Sequence, residues 1–412
     1  VVSEKTPHVR SISAGVWIEV GSRDEEPSTS GISHMIEHMV FKGTTHRSVR
    51  EISQSIESVG GYLNAFTSKE HTCYYARVLD EHTELALDVL SDLAQHSTFP
   101  PKELEKEKGV VIEELKNAED DPDDIIHDYF EKSIYGSHPM GFPVIGTEQT
   151  LRSMKRDDLV SYRAKYYLPS KIVVAAAGNI DHDRLVDLTA KYFPGTRNGV
   201  APAPRKRPSI QKPQAVELEK PIQQAHVCLG TSAYSIRSKH RYPLLVLNTL
   251  LGDGMSSRLF QNIREKYGFA YSVYSFVNML SDTGTFGAYI GTDKSHIQAS
   301  IELIHAELEK LRNKPVSKAE LQRTKAQLKG SMMLSLESIP NRMMRLGSSE
   351  LYFNELTALD SIIKHIDAVN GDEIQTLARV LFAEGRFSRV VFIPAGKKEG
   401  PERVISKAAK KN

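Results

Sequence analysis

The order of elements runs twice along this 412-residue chain, once on each side of a proline-rich stretch, and that repeat limits the fold more than any other feature. QAHVCLGTSA in the second copy parallels SAGVWIEVGS in the first. YPLLVLNTLLG stands where SGISHMIEHMVFKG stands, and VSKAELQRTKAQLKG follows the pattern of FPPKELEKEKGVVIEEL. SRVVFIPAG closes the second copy as KIVVAAAGN closes the first. Between them, residues 193–214 contain five prolines and no apolar periodicity, the composition of a linker. The expected organisation is therefore a domain over 1–196, a linker over 197–215 and a homologous domain over 216–412.

Within each copy the periodicities are mixed. SISAGVWIEV alternates as a strand and runs into the charged turn GSRDEEP. Ile52, Ile56 and Val59 fall at helical spacing and stop at Gly60-Gly61, and YLNAFTSKEHTCYYARVL has the β-branched and aromatic content of a hairpin. The expected class is α+β, with each α/β domain a mixed or antiparallel sheet covered by helices. A formal net charge of +1 argues against a nucleic-acid surface. The longest apolar runs, 171–177 and 245–252, are too short to span a membrane. Cys73 and Cys228 have no Cys-x-x-Cys partners, which argues against a disulfide scaffold or a thiolate zinc site and for a reducing compartment. The first residues carry neither a signal nor a transit pattern, so a cytoplasmic location is expected, as in a bacterium.

The stretch from Ser30 to Gly43 combines apolar helix with ionisable groups. His34, Glu37 and His38 lie three and four apart, so they share one helical face, with Ser30 placed as the N-cap. Met35, Ile36, Met39, Val40 and Phe41 surround them, a setting in which ionisable groups are costly unless paired or ligated. Two imidazoles are ordinary zinc ligands, and a catalytic zinc needs a third protein ligand and an open position. The helix pattern of residues 100–118 supplies candidates: Glu114 as the third ligand, with Glu107 two turns away on the same face as a supporting carboxylate. Spacing leaves Glu113 as a competing choice. The second copy has no counterpart to His34, Glu37, His38 or Glu114, so it is not a second metal site. It does offer Arg264 and Tyr271, seven apart across a break at Gly268 that can turn both toward one cleft.

Taken together, SGISHMIEHMVFKGT, GGYLNAFTSKEHTCYYARVL, ELEKEKGVVIEEL, SHPMGFPVIG and SRLFQNIREKYGFAYSV resemble the pitrilysin/insulinase class of inverted-motif zinc peptidases. Within it the chain is most similar to the short bacterial processing-protease branch, akin to the β subunit of mitochondrial processing peptidase. The resemblance covers nearly the whole chain. It implies two homologous domains forming half of a clamshell, with a second chain closing the chamber as a homodimer. It also implies one Zn²⁺ on His34, His38 and Glu114, Glu37 as base, and Glu107 behind the ligands. Asn64, Ala65 and Thr67 would lie on the strand that pairs with a peptide substrate, with Arg264 and Tyr271 completing the cleft. The expected activity is endoproteolysis of oligopeptides or unfolded presequence-like segments, in a bacterial cytoplasm or, for a eukaryotic chain, a mitochondrial matrix. The other reading is a non-catalytic assembly subunit of the same fold, for which broken ligands would be expected; the ligand positions here are intact.

Overall fold

The computed structural model describes residues 1–194 and 202–395; part of the expected linker and the last residues of the expected second domain lie outside the described residues. The first half runs β1 (Val2–Lys5), β2 (Ser11–Ile18), α1 (Ile32–Val40), α2 (Val49–Glu57), β3 (Tyr62–Thr67), β4 (Thr72–Leu79), α3 (Thr83–His96), α4 (Pro101–Glu119), α5 (Pro122–Tyr135), α6 (Glu148–Ser153), α7 (Arg156–Tyr166), β5 (Ile172–Gly178) and α8 (His182–Tyr192). The second runs β6 (Ala215–Lys220), β7 (Ala225–Ala233), α9 (Arg241–Gly252), β8 (Ala270–Met279), β9 (Gly284–Thr292), α10 (Ile297–Asn313), α11 (Lys318–Ser335), α12 (Ile339–Phe353), α13 (Leu359–Ala368), α14 (Gly371–Leu381) and β10 (Ser388–Pro394). Among the described residues no helix is long and apolar enough to cross a membrane.

Two five-stranded sheets result, ordered β1-β5-β2-β4-β3 and β6-β10-β7-β9-β8. Each has one parallel pair, β1 with β5 and β6 with β10, and is otherwise antiparallel. The second order is the first with every strand replaced by its counterpart, so the mixed α/β repeat read from the sequence is present in space.

One feature departs from a simple pair of domains. Each half sends a helix across to cover the back of the other half's sheet. Helix α12 lays Ile339, Met343 and Leu346 on Trp17, Cys73, Ala175 and Ala177 of the first sheet. Helix α5 lays Ile126, Phe130 and Ile134 on Cys228, Tyr289 and Phe392 of the second. This explains why β2 is buried on both faces rather than alternating with solvent. Ile12, Ala14, Val16 and Ile18 face the front core, while Trp17 faces α12 and donates its indole N–H to Met343 Sδ at 3.4 Å. The front face of the first sheet is where α1 lies, with α4 against it.

Candidate metal centre

Helix α1 starts at Gly31, whose left-handed backbone (φ 91°) suits glycine. Ser30 does not cap it as expected, because its hydroxyl is buried with no hydrogen-bond partner. Glu25, from the charged turn upstream, takes that place: its carboxylate accepts the N–H of Gly31 at 2.7 Å and of Ser33 at 2.9 Å. An anion at this end is favoured by the free N–H groups and the helix dipole. Burial pushes the Glu25 carboxyl up to about 7, against the two N–H bonds that pull it down. Thr150 Oγ1 donates to the Ser30 carbonyl at 2.7 Å, and Ser33 shares a 2.9 Å hydrogen bond with Tyr162, so α6 and α7 also fix the start of the helix.

Met35, Ile36, Met39 and Val40 are wholly buried, which turns the half-buried His34, Glu37 and His38 toward α4. The two imidazole centroids are 4.7 Å apart. Glu114 bridges them, with Oε1 3.8 Å from His34 Nε2 and Oε2 3.3 Å from His38 Nε2. One ligand atom from each of the three lies within 4.8 Å of the others, and no other such group occurs among the described residues. Tetrahedral zinc holds ligands at about 2 Å and hence roughly 3.3 Å apart, so small side-chain shifts would give this donor set a zinc-sized span. Glu113 faces solvent and pairs with Lys116 at 2.7 Å, which leaves Glu114 as the residue facing the histidines.

The electrostatics suit a cation. Burial, with His38 nearby, pulls His34 down to about 4 despite Glu114, so its imidazole is neutral at pH 7 and free to ligate. At His38 burial opposes charge, but bonds to Glu114 and Glu107 outweigh it and raise the pKa. Bonding from His38 in turn holds Glu114 below the ordinary carboxylate range, against partial burial. Glu107 is 6% exposed; it stands 3.2 Å from His38 Nδ1 and accepts Lys42 Nζ at 2.7 Å. A carboxylate on Nδ1 leaves Nε2 free to ligate, as in the usual support of a metal-binding histidine. Glu37 lies outside the donor set. Its Oε2 accepts the Thr67 hydroxyl at 2.5 Å, and burial raises its pKa although Thr67 and His38 oppose the rise.

Thr67 ends β3, the outer strand of the first sheet. The Ala65 N–H bonds the Asn64 side-chain oxygen at 2.8 Å rather than β4, and the Asn64 amide donates to Tyr62 at 2.6 Å. By the alternation of an antiparallel strand, Leu63, Ala65 and Thr67 then turn their peptide groups to the open edge.

In the second half, residues Phe260–Glu265 form a π-helical turn, Gly268 (φ 66°) ends the helix, and β8 opens on a bulge between Ala270 and Ser272. Both irregularities re-aim side chains. Tyr271 sits in the bulge at 77% exposure, and the Arg264 guanidinium lies 5.3 Å from its ring and 4.8 Å from that of Phe260. The structure thus gathers two groups: the His34–His38–Glu114 cluster with Glu37 and Thr67, and the Arg264–Tyr271 pair. Among the described residues no hydrogen bond, ion pair or ring contact joins them. Sequence reasoning missed Glu25, Lys42 and the Thr67 hydroxyl. Only Lys42 had a local signal, its place one helical turn after His38.

The family profile described as Insulinase (Peptidase family M16) matches residues 1–148, and that described as Peptidase M16 inactive domain matches residues 153–328. An uncharacterized zinc protease of Bacillus subtilis, YmxG, is 46% identical over 400 residues, covering 96% of each chain. One of Streptomyces coelicolor is 40% identical over 92% of this chain and 84% of its own. The chain belongs to the insulinase family, M16. A protease from Helicobacter pylori shares the fold at a TM-score of 0.88 and 24% identity, over 95% of this chain and 96% of its own. A chain from complex III2 of Candida albicans does so at 0.83 and 21%, over 95% and 92%.

Proposed function

We propose that this chain is a zinc metalloendopeptidase that hydrolyses peptide bonds in oligopeptides or unfolded presequence-like segments. The observation that carries the reading is Glu37, a raised-pKa carboxylate beside a three-donor cluster and bonded to the edge strand through Thr67. A zinc ion held by His34, His38 and Glu114 would acidify a water molecule and polarise the scissile carbonyl. Glu37 takes the proton of the attacking water and returns it to the leaving amine, a task suited to a carboxylate tuned above its ordinary pKa. Thr67 keeps that carboxylate aimed. The substrate adds a strand to β3, paired with the open peptide groups of Leu63, Ala65 and Thr67, and Asn64 releases the Ala65 N–H as it arrives. Recognition through the backbone permits varied side chains. Tyr271 and Arg264 supply a phenol and a guanidinium for substrate carbonyl oxygens, so the second half completes the site. Two copies would close a chamber that admits unfolded segments only.

The supporting relatives are named zinc proteases. The purified chain should cleave a quenched fluorogenic oligopeptide, lose activity on exhaustive chelation and regain it with one equivalent of zinc. Cleavage that persists in metal-free protein would overturn the reading, and sedimentation at working concentration tests the dimer.

A further inference from the structure

The charged turn before α1 does more than supply the Glu25 cap. Its neighbour Arg23, 1% exposed at the side chain, reaches across the molecule to Asp282 in the β8–β9 turn, with Nη2–Oδ2 at 2.5 Å and Nη1–Oδ1 at 2.8 Å. Arg23 also binds Glu70 of the β3–β4 turn at 2.6 Å and the Lys206 carbonyl at 2.8 Å. Glu70, equally buried, accepts the Ser281 N–H at 2.9 Å and the Ser281 hydroxyl at 2.6 Å. Asp24, next in the chain, takes Arg205 in a two-pronged pair at 2.8 and 2.7 Å, and Arg205 also donates to the Glu70 carbonyl. The tips of the two equivalent hairpins, the segment at 205–206 and the turn leading to α1 therefore meet in one ionic cluster.

Burying such charges is no efficient source of stability, since apolar side chains of similar volume do as well or better. Arg23 Nε is even left buried without a partner. What two forked guanidinium–carboxylate pairs add is a single defined geometry. We propose that the Arg23–Glu70–Asp282 clasp is a positioning device that sets the second half, and with it Arg264 and Tyr271, against the half bearing His34, Glu37 and His38. The proposal rests on the peptidase reading. Glu70 lies three residues beyond Thr67, and Arg23 two before Glu25, so one side of the clasp adjoins both supports of the first-half site. On the other side β8 runs from Tyr271 to the clasp at about 3.3 Å per residue, a lever of about 30 Å. A tilt of about 2° at the clasp moves the Tyr271 end by about 1 Å, and a shift of that size costs about a hundredfold in rate.

Asp282, the least buried member, gives the mildest test. Asp282→Asn should keep the wild-type zinc stoichiometry and lower kcat/KM about tenfold or more. In a background of Arg264→Met with Tyr271→Phe, the same substitution should cost nothing further. An equal loss in both backgrounds overturns the proposal, because a general structural defect would act in each. Should the Asn variant fail to fold, Ser281→Ala removes one bond to Glu70 and serves in the same cycle. A wild-type chain that cleaves no peptide defeats the peptidase reading by itself, and the clasp is then judged by hydrogen exchange. Asp282→Asn should speed exchange at residues 270–272 and at Gly31 and Ser33, with β2 and β7 still protected. Unchanged exchange at both places overturns the clasp.

Discussion

Helices α1 and α9 hold equivalent places over sheets of the same strand order, and the chain fills those places in opposite ways. After Arg241, α9 carries no acid, base or histidine, and Leu244, Leu247 and Leu251 are wholly buried in the second core. Its neighbour α11 offers Gln327, which donates to the Asp253 carbonyl and accepts from Ser256. Helix α1 instead presents His34 and His38 to Glu107 and Glu114 of α4, with Glu37 beside them bonded to Thr67. The second half demonstrates that the architecture is satisfied with no ionisable side chain on this helix after Arg241. The ionisable groups of the first half are therefore an expense the fold does not require, visible as a histidine pulled down to about 4 and a glutamate pushed up by burial. Departures of this kind from an apolar solution are where a site is to be sought.

The sharpest way to separate the halves is chemical. Glu37→Gln keeps the shape of the side chain and its hydrogen bond with Thr67 but removes the proposed base. Turnover should fall by about 10²–10⁴ while bound zinc stays at the wild-type level. Wild-type turnover from this variant would contradict the assigned role. A change confined to the core of the other half is Leu247→Ala, which should cost about 3 kcal/mol in denaturant unfolding through the cavity it leaves. Zinc per folded molecule should be unchanged. A variant that loses zinc in proportion to stability would break the comparison, by showing that the second core holds the His34–His38–Glu114 cluster in shape.

What could be read beforehand divides along the same line. The triplet in α1 follows from local spacing alone, because residues three and four apart must share a face. So do most helix and strand positions, and the doubled order of elements appears in the strand order of both sheets. Glu114 needed more, since one-residue spacing could not separate it from Glu113; packing separates them by turning Glu113 to Lys116 and solvent. The exchange of α5 and α12 between halves left no local trace, because a helix with an apolar stripe does not state which sheet it covers. The bulge at Tyr271 and the π-helical turn at Arg264 are one-residue insertions into regular ladders, invisible to periodicity. Ser30 looked like the cap by residue type, and Glu25 won the N–H groups through a loop path that spacing does not encode.

That cap offers a comparison of its own, because α9 starts at His240 with no side-chain cap at all. Burial lifts the Glu25 carboxyl from 4.5 to about 7 in the folded chain. Below 4.5 it is protonated whether folded or not, and its contribution to stability is complete. Between 4.5 and 7 the folded chain keeps a proton that the unfolded chain has released, so stability falls as pH rises, by at most about 1.4 kcal/mol per pH unit for one proton. Glu25→Gln holds no such proton. Its stability relative to the wild type should therefore climb between pH 5 and pH 7 in parallel urea titrations, and an apolar substitution in α9 should show no such slope. A constant difference across that range would mean that the two N–H bonds keep Glu25 ionised throughout, and that α1 is capped by a full negative charge.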